Sequence, residues 1–193
     1  MGARSPLTRG EPSRSPGRSS TEQGVLVSSR IRRPPRLRDM EFTIKPIEAS
    51  ELTSIRSTGV GAGGVPNENV TLSAGQQLRC CLRRSEEGER LLLVSYAPLS
   101  AERPWREAGP VFVHAEECPE PFEEGLPEWL DDGPRVLRAY DTDGSMLHRY
   151  NRIVPAGAGV RAALAEQFAA PEVAEVHLRN ELAQCYIAKA VRG

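Results

Sequence analysis

Short runs of alternating apolar and polar residues, bounded by turn residues, constrain the fold of this chain more than any other feature. In RVLRAYDTDGSMLHRYNRIV, residues 135–154, two such runs flank Asp143 and Gly144. An Asp-Gly pair in that position is typical of a β-hairpin. Further strands are predicted at residues 41–47, 69–74, 89–99 and 109–115. The run at 89–99 is apolar on both faces, which indicates a central strand.

Only two segments have the periodicity of a helix. In AGVRAALAEQFAAPEV, Val160, Leu164 and Phe168 repeat every four residues and a proline ends the pattern, which predicts a helix over residues 158–170. A shorter helix is predicted over residues 48–57. Hairpin strands with two helices predict an α+β fold with a mainly antiparallel sheet. A chain of 193 residues suits one core, so we expect a single domain over residues 41–193.

Residues 1–40 differ in composition from the rest of the chain. They hold nine arginines and three acids, a net charge of +6, so residues 41–193 carry −7 to give the total of −1. So few apolar residues cannot offset the entropy of ordering, which predicts a disordered basic leader. Met40 directly precedes the first strand and is a candidate natural start. We expect no nucleic-acid binding outside this leader.

The cysteines and the hydropathy pattern predict a cytoplasmic location. Four cysteines are present and no signal peptide is recognisable, which favours reduced thiols over disulfides. No run of about 18 apolar residues occurs, so we expect no contact with a membrane. The sequence identifies no cofactor.

The segment EVAEVHLRNELAQCYIAKAV, residues 172–191, predicts two strands joined by a turn. Pairing Glu175 with Lys189 gives a favourable cross-strand ion pair. That register places His177 diagonal to Cys185 at roughly 7–8 Å, close enough for a shared pocket. His177, Cys185 and Asn180 are therefore the candidate catalytic residues.

Three interpretations of these polar residues remain open. In a thiol enzyme, Cys185 would be the nucleophile, with His177 or His114 as its base. A metal site would recruit His114, Cys118, Cys81 or His177, because thiolates and imidazoles are zinc ligands. The pair His114 and Cys118 is the nearest approach to a ligand spacing. Alternatively, the cysteines are small buried hydrophobic residues.

A non-catalytic role is the other alternative. Residues 116–132 contain eight acids and no basic residue. Such a segment either faces water or meets a basic partner. It makes a protein-interaction module the rival to an enzyme or a ligand-binding protein.

Four blocks carry a resemblance to a known family: CLRRSEEGERLLLVSY, RPWREAGPVFVHAEEC, LRAYDTDG and VHLRNELAQCY. In this order they resemble the bacterial family catalogued as domain of unknown function 1203, over residues 41–192. The family often has Pro-Cys-Arg where this chain has Gln77-Leu78-Arg79, and tyrosine where it has Trp105. The resemblance implies one fold and a set of candidate residues, with no activity attached.

We therefore expect a polar pocket that binds a small anionic ligand. Its predicted ligand-binding residues are Arg106, His114, Tyr140 and Tyr186, beside the candidate catalytic residues. Arg106 offers a planar fork of donors suited to a carboxylate or phosphate. Arg106 either pairs with an internal acid, for which Asp141 is the leading candidate, or binds an anionic ligand. The internal pair is the expected outcome, because buried charges are usually paired within the chain. No metal ligand belongs to this predicted set.

Overall fold

A computed structural model describes residues 42–99 and 102–193 of the chain. The predicted disordered leader and Met40 lie outside the described residues. The elements, in chain order, are β1 (Phe42–Lys45), α1 (Ala49–Thr58), β2 (Glu68–Thr71), β3 (Arg90–Tyr96), β4 (Gly109–His114), β5 (Arg135–Tyr140), β6 (Arg152–Val154), α2 (Val160–Phe168), β7 (Glu175–Asn180) and β8 (Tyr186–Arg192).

The strands form two antiparallel sheets. One has five strands in the order β1-β8-β7-β5-β6, and the other has three in the order β2-β3-β4. The predicted α+β fold with a mainly antiparallel sheet is confirmed, and so are both predicted helices. The apolar strand β3 is central, as expected. Among the described helices, none is both long and apolar enough to cross a membrane.

Each sheet contributes to its own apolar cluster. Leu137, Val176 and Leu178 of the five-stranded sheet pack with Leu164 and Phe168 of α2, and all five are fully buried. Burying an aliphatic or aromatic side chain of this size stabilises a fold by about 1.5–3 kcal/mol. The three-stranded sheet forms the second cluster, with core members Leu91, Val94, Val111 and Val113, together with Cys80 and Cys81. Two of the four cysteines therefore lie inside a core.

The predicted hairpin over residues 135–154 forms, although its second strand is short. Arg135 pairs with Val154 across β5 and β6. The side chain of Asn151 accepts the backbone N–H of Ala139 at 2.9 Å, in place of a strand carbonyl. Because of this substitution, β6 has only three residues. Gly144 has a φ of 76°, the left-handed conformation that the turn requires.

The predicted register between β7 and β8 is wrong. Glu175 lies opposite Val191, and His177 lies opposite Lys189. The connection is longer than a tight turn, because the N–H of Asn180 bonds to the carbonyl of Cys185. A bulge between Leu178 and Arg179 shifts the pairing further, so that Arg179 lies opposite Tyr186. Cys185 is consequently not the diagonal neighbour of His177.

Candidate functional site

Four potential metal ligands converge beside the three-stranded sheet. The side-chain ligand atoms of Cys80, Cys81, His114 and Cys118 all lie within 4.8 Å of one another. The Nδ1 atom of His114 is 3.3 Å from the sulfur of Cys80, 3.9 Å from that of Cys81 and 3.3 Å from that of Cys118. One imidazole nitrogen thus faces three thiol groups.

A closed turn presents the two adjacent cysteines. The N–H of Leu78 bonds to the carbonyl of Arg83, and the N–H of Leu82 bonds back to the carbonyl of Leu78. The N–H of Arg79 bonds to the carbonyl of Phe112, which fixes the turn against β4. Leu82 has a φ of 54°, a conformation that a branched residue rarely adopts. The chain therefore reverses immediately after the cysteine pair.

The other two members come from the end of β4 and the loop after it. His114 is the last residue of β4, and Cys118 follows four residues later. The backbone N–H of His114 also bonds to the sulfur of Cys80 at 3.3 Å. The cluster therefore ties together the cysteine turn, a sheet strand and the acidic loop.

Four of the six separations between the ligand atoms lie near those around one tetrahedral ion, and the two between Cys118 and the other sulfurs are no more than 4.8 Å. With zinc–sulfur bonds of about 2.3 Å and zinc–nitrogen bonds of about 2.0–2.1 Å, two sulfurs are about 3.8 Å apart, and sulfur and nitrogen about 3.6 Å. The sulfurs of Cys80 and Cys81 are 4.0 Å apart. The three distances from His114 Nδ1 to the sulfurs, 3.3, 3.9 and 3.3 Å, lie on either side of the expected sulfur–nitrogen separation of about 3.6 Å.

The far side of the imidazole is held by an ion pair. His114 Nε2 lies 3.4 Å from Glu89 Oε1 and 3.0 Å from Arg83 Nη2. Arg83 also pairs with Glu89, and its hydrogen bond holds the pKa of that carboxyl down at about 2. Arg83 can donate to Nε2 only in the tautomer that has its proton on Nδ1. A metal on Nδ1 would select the other tautomer, which donates from Nε2 to Glu89.

The cluster favours a thiolate at Cys118 and a neutral thiol at Cys80, whose pKa is raised chiefly by its hydrogen bond with Cys118. Hydrogen bonds from Cys80 and Cys81 lower the pKa of Cys118, and the adjacent imidazole acts in the same direction. Hydrogen bonds with Cys118 and Cys81 raise the pKa of His114 to about 10. Thiolate is the form of cysteine that binds metal. A cation at the centre would replace the shared protons.

Three of these four residues are among the metal ligands that the sequence suggests as one of its alternative interpretations. His114, Cys118 and Cys81 were considered as metal ligands, and the structure brings them together. Cys80 was missed, although its position beside Cys81 was a visible signal. His177, the other residue considered, lies in the five-stranded sheet and is not part of this group.

His177 has a different environment. Its side chain is fully buried, and Nε2 lies 2.9 Å from Glu175 Oε1. Its ring packs against those of Tyr140 and Tyr186, with centroids 4.4 and 5.6 Å away. Burial lowers the pKa of His177, against the opposing effect of Glu175. Three predicted site residues therefore meet here, in a packed interior.

Cys185 and Asn180 lie together at another place. Both line a cavity of about 460 Å³. The amide of Asn180 donates to Gln77 Oε1 at 3.1 Å. Over residues 42–99 and 102–193, no hydrogen bond connects Cys185 with either His114 or His177. The base that a Cys185 nucleophile would need is not beside it.

The predicted pairing of Arg106 with Asp141 is wrong. Arg106 is exposed, and its Nε donates to the carbonyl of Leu99 at 3.3 Å. Asp141 Oδ1 instead accepts the backbone N–H groups of Asp143 and Ser145 within its own turn. A short acid followed by turn residues satisfies its backbone in this way, which leaves it unavailable to a distant arginine.

Glu107, the residue after Arg106, is the one that forms ion pairs. Glu107 accepts two hydrogen bonds from Arg138, at 2.9 and 2.7 Å, and lies 3.0 Å from Arg179 Nη1. The loop between β3 and β4 therefore contributes a structural acid. Whether Arg106 binds a ligand stays a prediction.

Internal contacts hold the C-terminal end of the acidic segment 116–132. Asp131 accepts the N–H of Val160 at 2.8 Å, which caps the start of α2. Asp132 pairs with Arg84 at 3.1 Å, and the indole of Trp129 donates to a backbone carbonyl of the cysteine turn at 2.7 Å. These contacts fix the end of the segment, whereas the acids between Glu116 and Glu128 are exposed.

Residues 75–192 match the model of a family described as "Protein of unknown function (DUF1203)". The match covers more than half of the chain and includes all four members of the cysteine–histidine cluster. No curated protein and no solved structure matches the chain.

Proposed function

The chain belongs to the DUF1203 family, whose description assigns no activity, and we propose that it binds one zinc ion through Cys80, Cys81, His114 and Cys118. The observation that carries this proposal is the approach of four ligand atoms, from three separate segments, to within 4.8 Å of one another. Packing of apolar groups alone gives no reason for three sulfurs to face a single nitrogen.

The ligand types favour zinc over other common ions. Three sulfurs and one imidazole suit zinc, whereas calcium and magnesium require oxygen ligands. A multi-iron cluster would need its ligands spread around several metals, but atoms within 4.8 Å of each other fit around one ion. Four protein ligands also complete a tetrahedron, which is the pattern of a structural rather than a catalytic site.

A structural ion would have a clear task in this fold. The cysteine turn and the loop after β4 have no strand that pairs them with each other, and the ion would clamp both to the end of β4. Glu89 would hold the imidazole in the tautomer that leaves Nδ1 free for the metal. Such an arrangement adds binding free energy directly to the stability of the fold.

Metal content tests the proposal. We expect one equivalent of zinc in the purified full chain, measured by elemental mass spectrometry against protein concentration. C81A should lose most of the metal. C185A is the matched control, since it removes a cysteine outside the cluster, and it should keep one equivalent. Less than a tenth of an equivalent in wild-type protein, even after refolding with zinc, would reject the proposal.

The cysteine–histidine cluster also favours a particular cellular compartment for the protein. Three thiols remain available to a metal only where they stay reduced, and the four cysteines are free. This favours the cytoplasm, and the family resemblance suggests a bacterial one. The absence of a membrane-spanning helix in the described part of the chain is consistent with this proposal.

A second candidate function is the binding of a small anionic ligand. One observation favours it: the cavity that Asn180 and Cys185 line also contains a buried arginine, Arg79. This cavity replaces the pocket expected from Arg106, His114 and Tyr140, whose side chains make contacts in separate parts of the molecule. Thiol catalysis has less support, because neither histidine contacts Cys185. An interaction module also has less support, because only the exposed acids of residues 116–128 favour it.

A further inference from the structure

We infer that Arg79 is the anion-binding group of the cavity beside Asn180 and Cys185, and that the ligand is a small organic carboxylate. The inference rests on the second candidate function and adds the binding residue and the ligand class. Arg79 precedes the first cysteine of the metal cluster, but its side chain lines a different space.

The guanidinium is held in place and only partly used. Its Nε donates to the carbonyl of Tyr186 at 2.7 Å, and its Nη1 donates to the carbonyl of Gln77. Arginine has five N–H donors, so three remain without a partner within the parts of the chain that the structure describes. Two backbone carbonyls thus orient the group and leave one edge available.

Among the residues that the structure describes, the charge of Arg79 has no counter-ion. Its side chain is 4% exposed, and no carboxylate of residues 42–99 or 102–193 lies within ion-pair distance. A buried charge is costly unless an opposite charge or full hydrogen bonding offsets it. Carbonyl groups supply part of that compensation. An anion entering the cavity would supply the rest.

The walls of the cavity define the class of anion. Leu93, Pro110 and Phe112 provide apolar surface, and Gln77 and Asn180 provide amides. Among the residues that line it, Arg79 is the only cation. A single positive charge with apolar walls suits a monovalent carboxylate with a short hydrocarbon body. A phosphate dianion would require further positive charge or a cluster of backbone N–H groups.

Cys185 offers a chemical reporter for this space. Its thiol lines the cavity and lies 3.6 Å from the carbonyl of Ala183. Iodoacetate carries a carboxylate and iodoacetamide is its neutral analogue. In both reactions the thiolate sulfur forms a bond to the methylene carbon, and iodide leaves with the bonding electrons. The ratio of the two rates therefore reports recognition of the carboxylate. Tryptic peptide 180–189, NELAQCYIAK, separates Cys185 from the other three cysteines.

The first experiment uses wild-type protein with its metal. We expect propionate to slow labelling of Cys185 by iodoacetamide, while propionamide and inorganic phosphate do not. Calorimetric titration of propionate into the same protein gives the affinity independently of thiol reactivity. If propionate binds in neither measurement, the second candidate function fails together with the inference. The zinc proposal is unaffected by that result. Equal protection by phosphate would overturn the ligand class.

The second experiment tests the arginine. In R79Q, the ratio of iodoacetate to iodoacetamide rates should fall by about tenfold, the usual effect of losing a charge-assisted hydrogen bond. R161Q removes an exposed arginine that does not line the cavity, and it should leave the ratio unchanged. R79K keeps the charge but not the fork of donors, and should lie between them. At least one of R79Q and R79K must fold for this test. If propionate binds the folded variant as tightly as it binds wild-type protein, Arg79 is not the anion-binding group, and the rest of the second candidate function is unaffected.

Discussion

The two buried histidines of this chain have opposite surroundings. His114, at the end of β4, directs one nitrogen at three sulfurs and the other at an ion pair. In the middle of β7, His177 places one nitrogen 2.9 Å from Glu175 and packs its ring against two tyrosine rings. Both are buried polar residues, but only His114 is surrounded by groups that can share a cation.

The difference shows that burial of a histidine does not identify its role. At His177 the neighbours are a carboxylate and two phenol rings, so the imidazole fills the core and satisfies one acid. At His114 the neighbours are thiols, which lose protons when a metal binds. Thus His177 should respond to pH, whereas His114 should respond to metal.

The largest contrast is expected from removing a metal ligand. C81A should lower the free energy of unfolding by about 4 kcal/mol at a zinc concentration about 1,000 times the dissociation constant, because the bound ion stabilises only the folded state. C185A should change it by less than about 1 kcal/mol. Urea unfolding with and without excess chelator measures both. If wild-type protein unfolds at the same urea concentration with and without excess chelator, no metal stabilises it, and His114 does not differ from His177 in the way proposed.

A smaller effect is expected at the second contact of His114. E89Q should weaken zinc binding by about 10–100-fold, because the carboxylate orients the ligating ring. This corresponds to about 1.4–2.7 kcal/mol. Competition with a chromophoric chelator gives the affinity. Glu116 forms an exposed ion pair with Arg90, so E116Q serves as the control. If both variants bind zinc equally well, Glu89 has no role at the site.

The pH dependence of stability separates His177 from the metal site. Burial holds the pKa of His177 in the folded chain below the usual histidine value of about 6.5, so the unfolded chain binds more protons than the folded one as the pH falls through that value. Stability should therefore be full above pH 6.5 and decline below it, by up to about 1.4 kcal/mol per pH unit. H177Q should lack this part of the slope, and H148Q should retain it because His148 is exposed. The measurement is urea unfolding between pH 7 and pH 5. A slope unchanged in H177Q would contradict the account.

The smallest effect concerns the ion pair beside His177. Lys189 Nζ lies 3.9 Å from Glu175 Oε2, as a diagonal rather than a direct neighbour. Reversing both charges should be milder than the sum of the single reversals by a few tenths of a kcal/mol. A double-mutant cycle measures this coupling. Strict additivity would show that the two charges do not interact.

Local patterns predicted the elements of the fold well. Alternating runs, an Asp-Gly turn and a helical repeat each act over a few residues, so they can be recognised without knowledge of the rest of the chain. The register of β7 and β8 failed because it depends on the bulge and on the bond from Asn180 to Cys185. Nothing in the alternation of apolar residues specifies either feature.

The candidate site was predicted only in part, for a related reason. His114 and Cys118 are close in sequence, so their pairing could be considered, but Cys80 and Cys81 reach them through tertiary packing. Glu89 and Arg79 were not singled out as site residues, because their roles depend on which carbonyls and rings lie around them. Arg106 was chosen for its neighbours in sequence, and it is exposed. The adjacent Glu107 makes the charged contacts instead.

X-ray absorption at the zinc edge tests the central claim most directly, because it reports the atoms bound to the metal. For protein purified with zinc, a single ion at the cysteine–histidine cluster predicts three sulfurs at about 2.3 Å and one nitrogen at about 2.0–2.1 Å. In H114A, the outer-shell scattering from the imidazole ring should disappear, while the three sulfurs remain. A shell of oxygen and nitrogen atoms without sulfur, or fewer than two sulfurs in wild-type protein, would contradict the account.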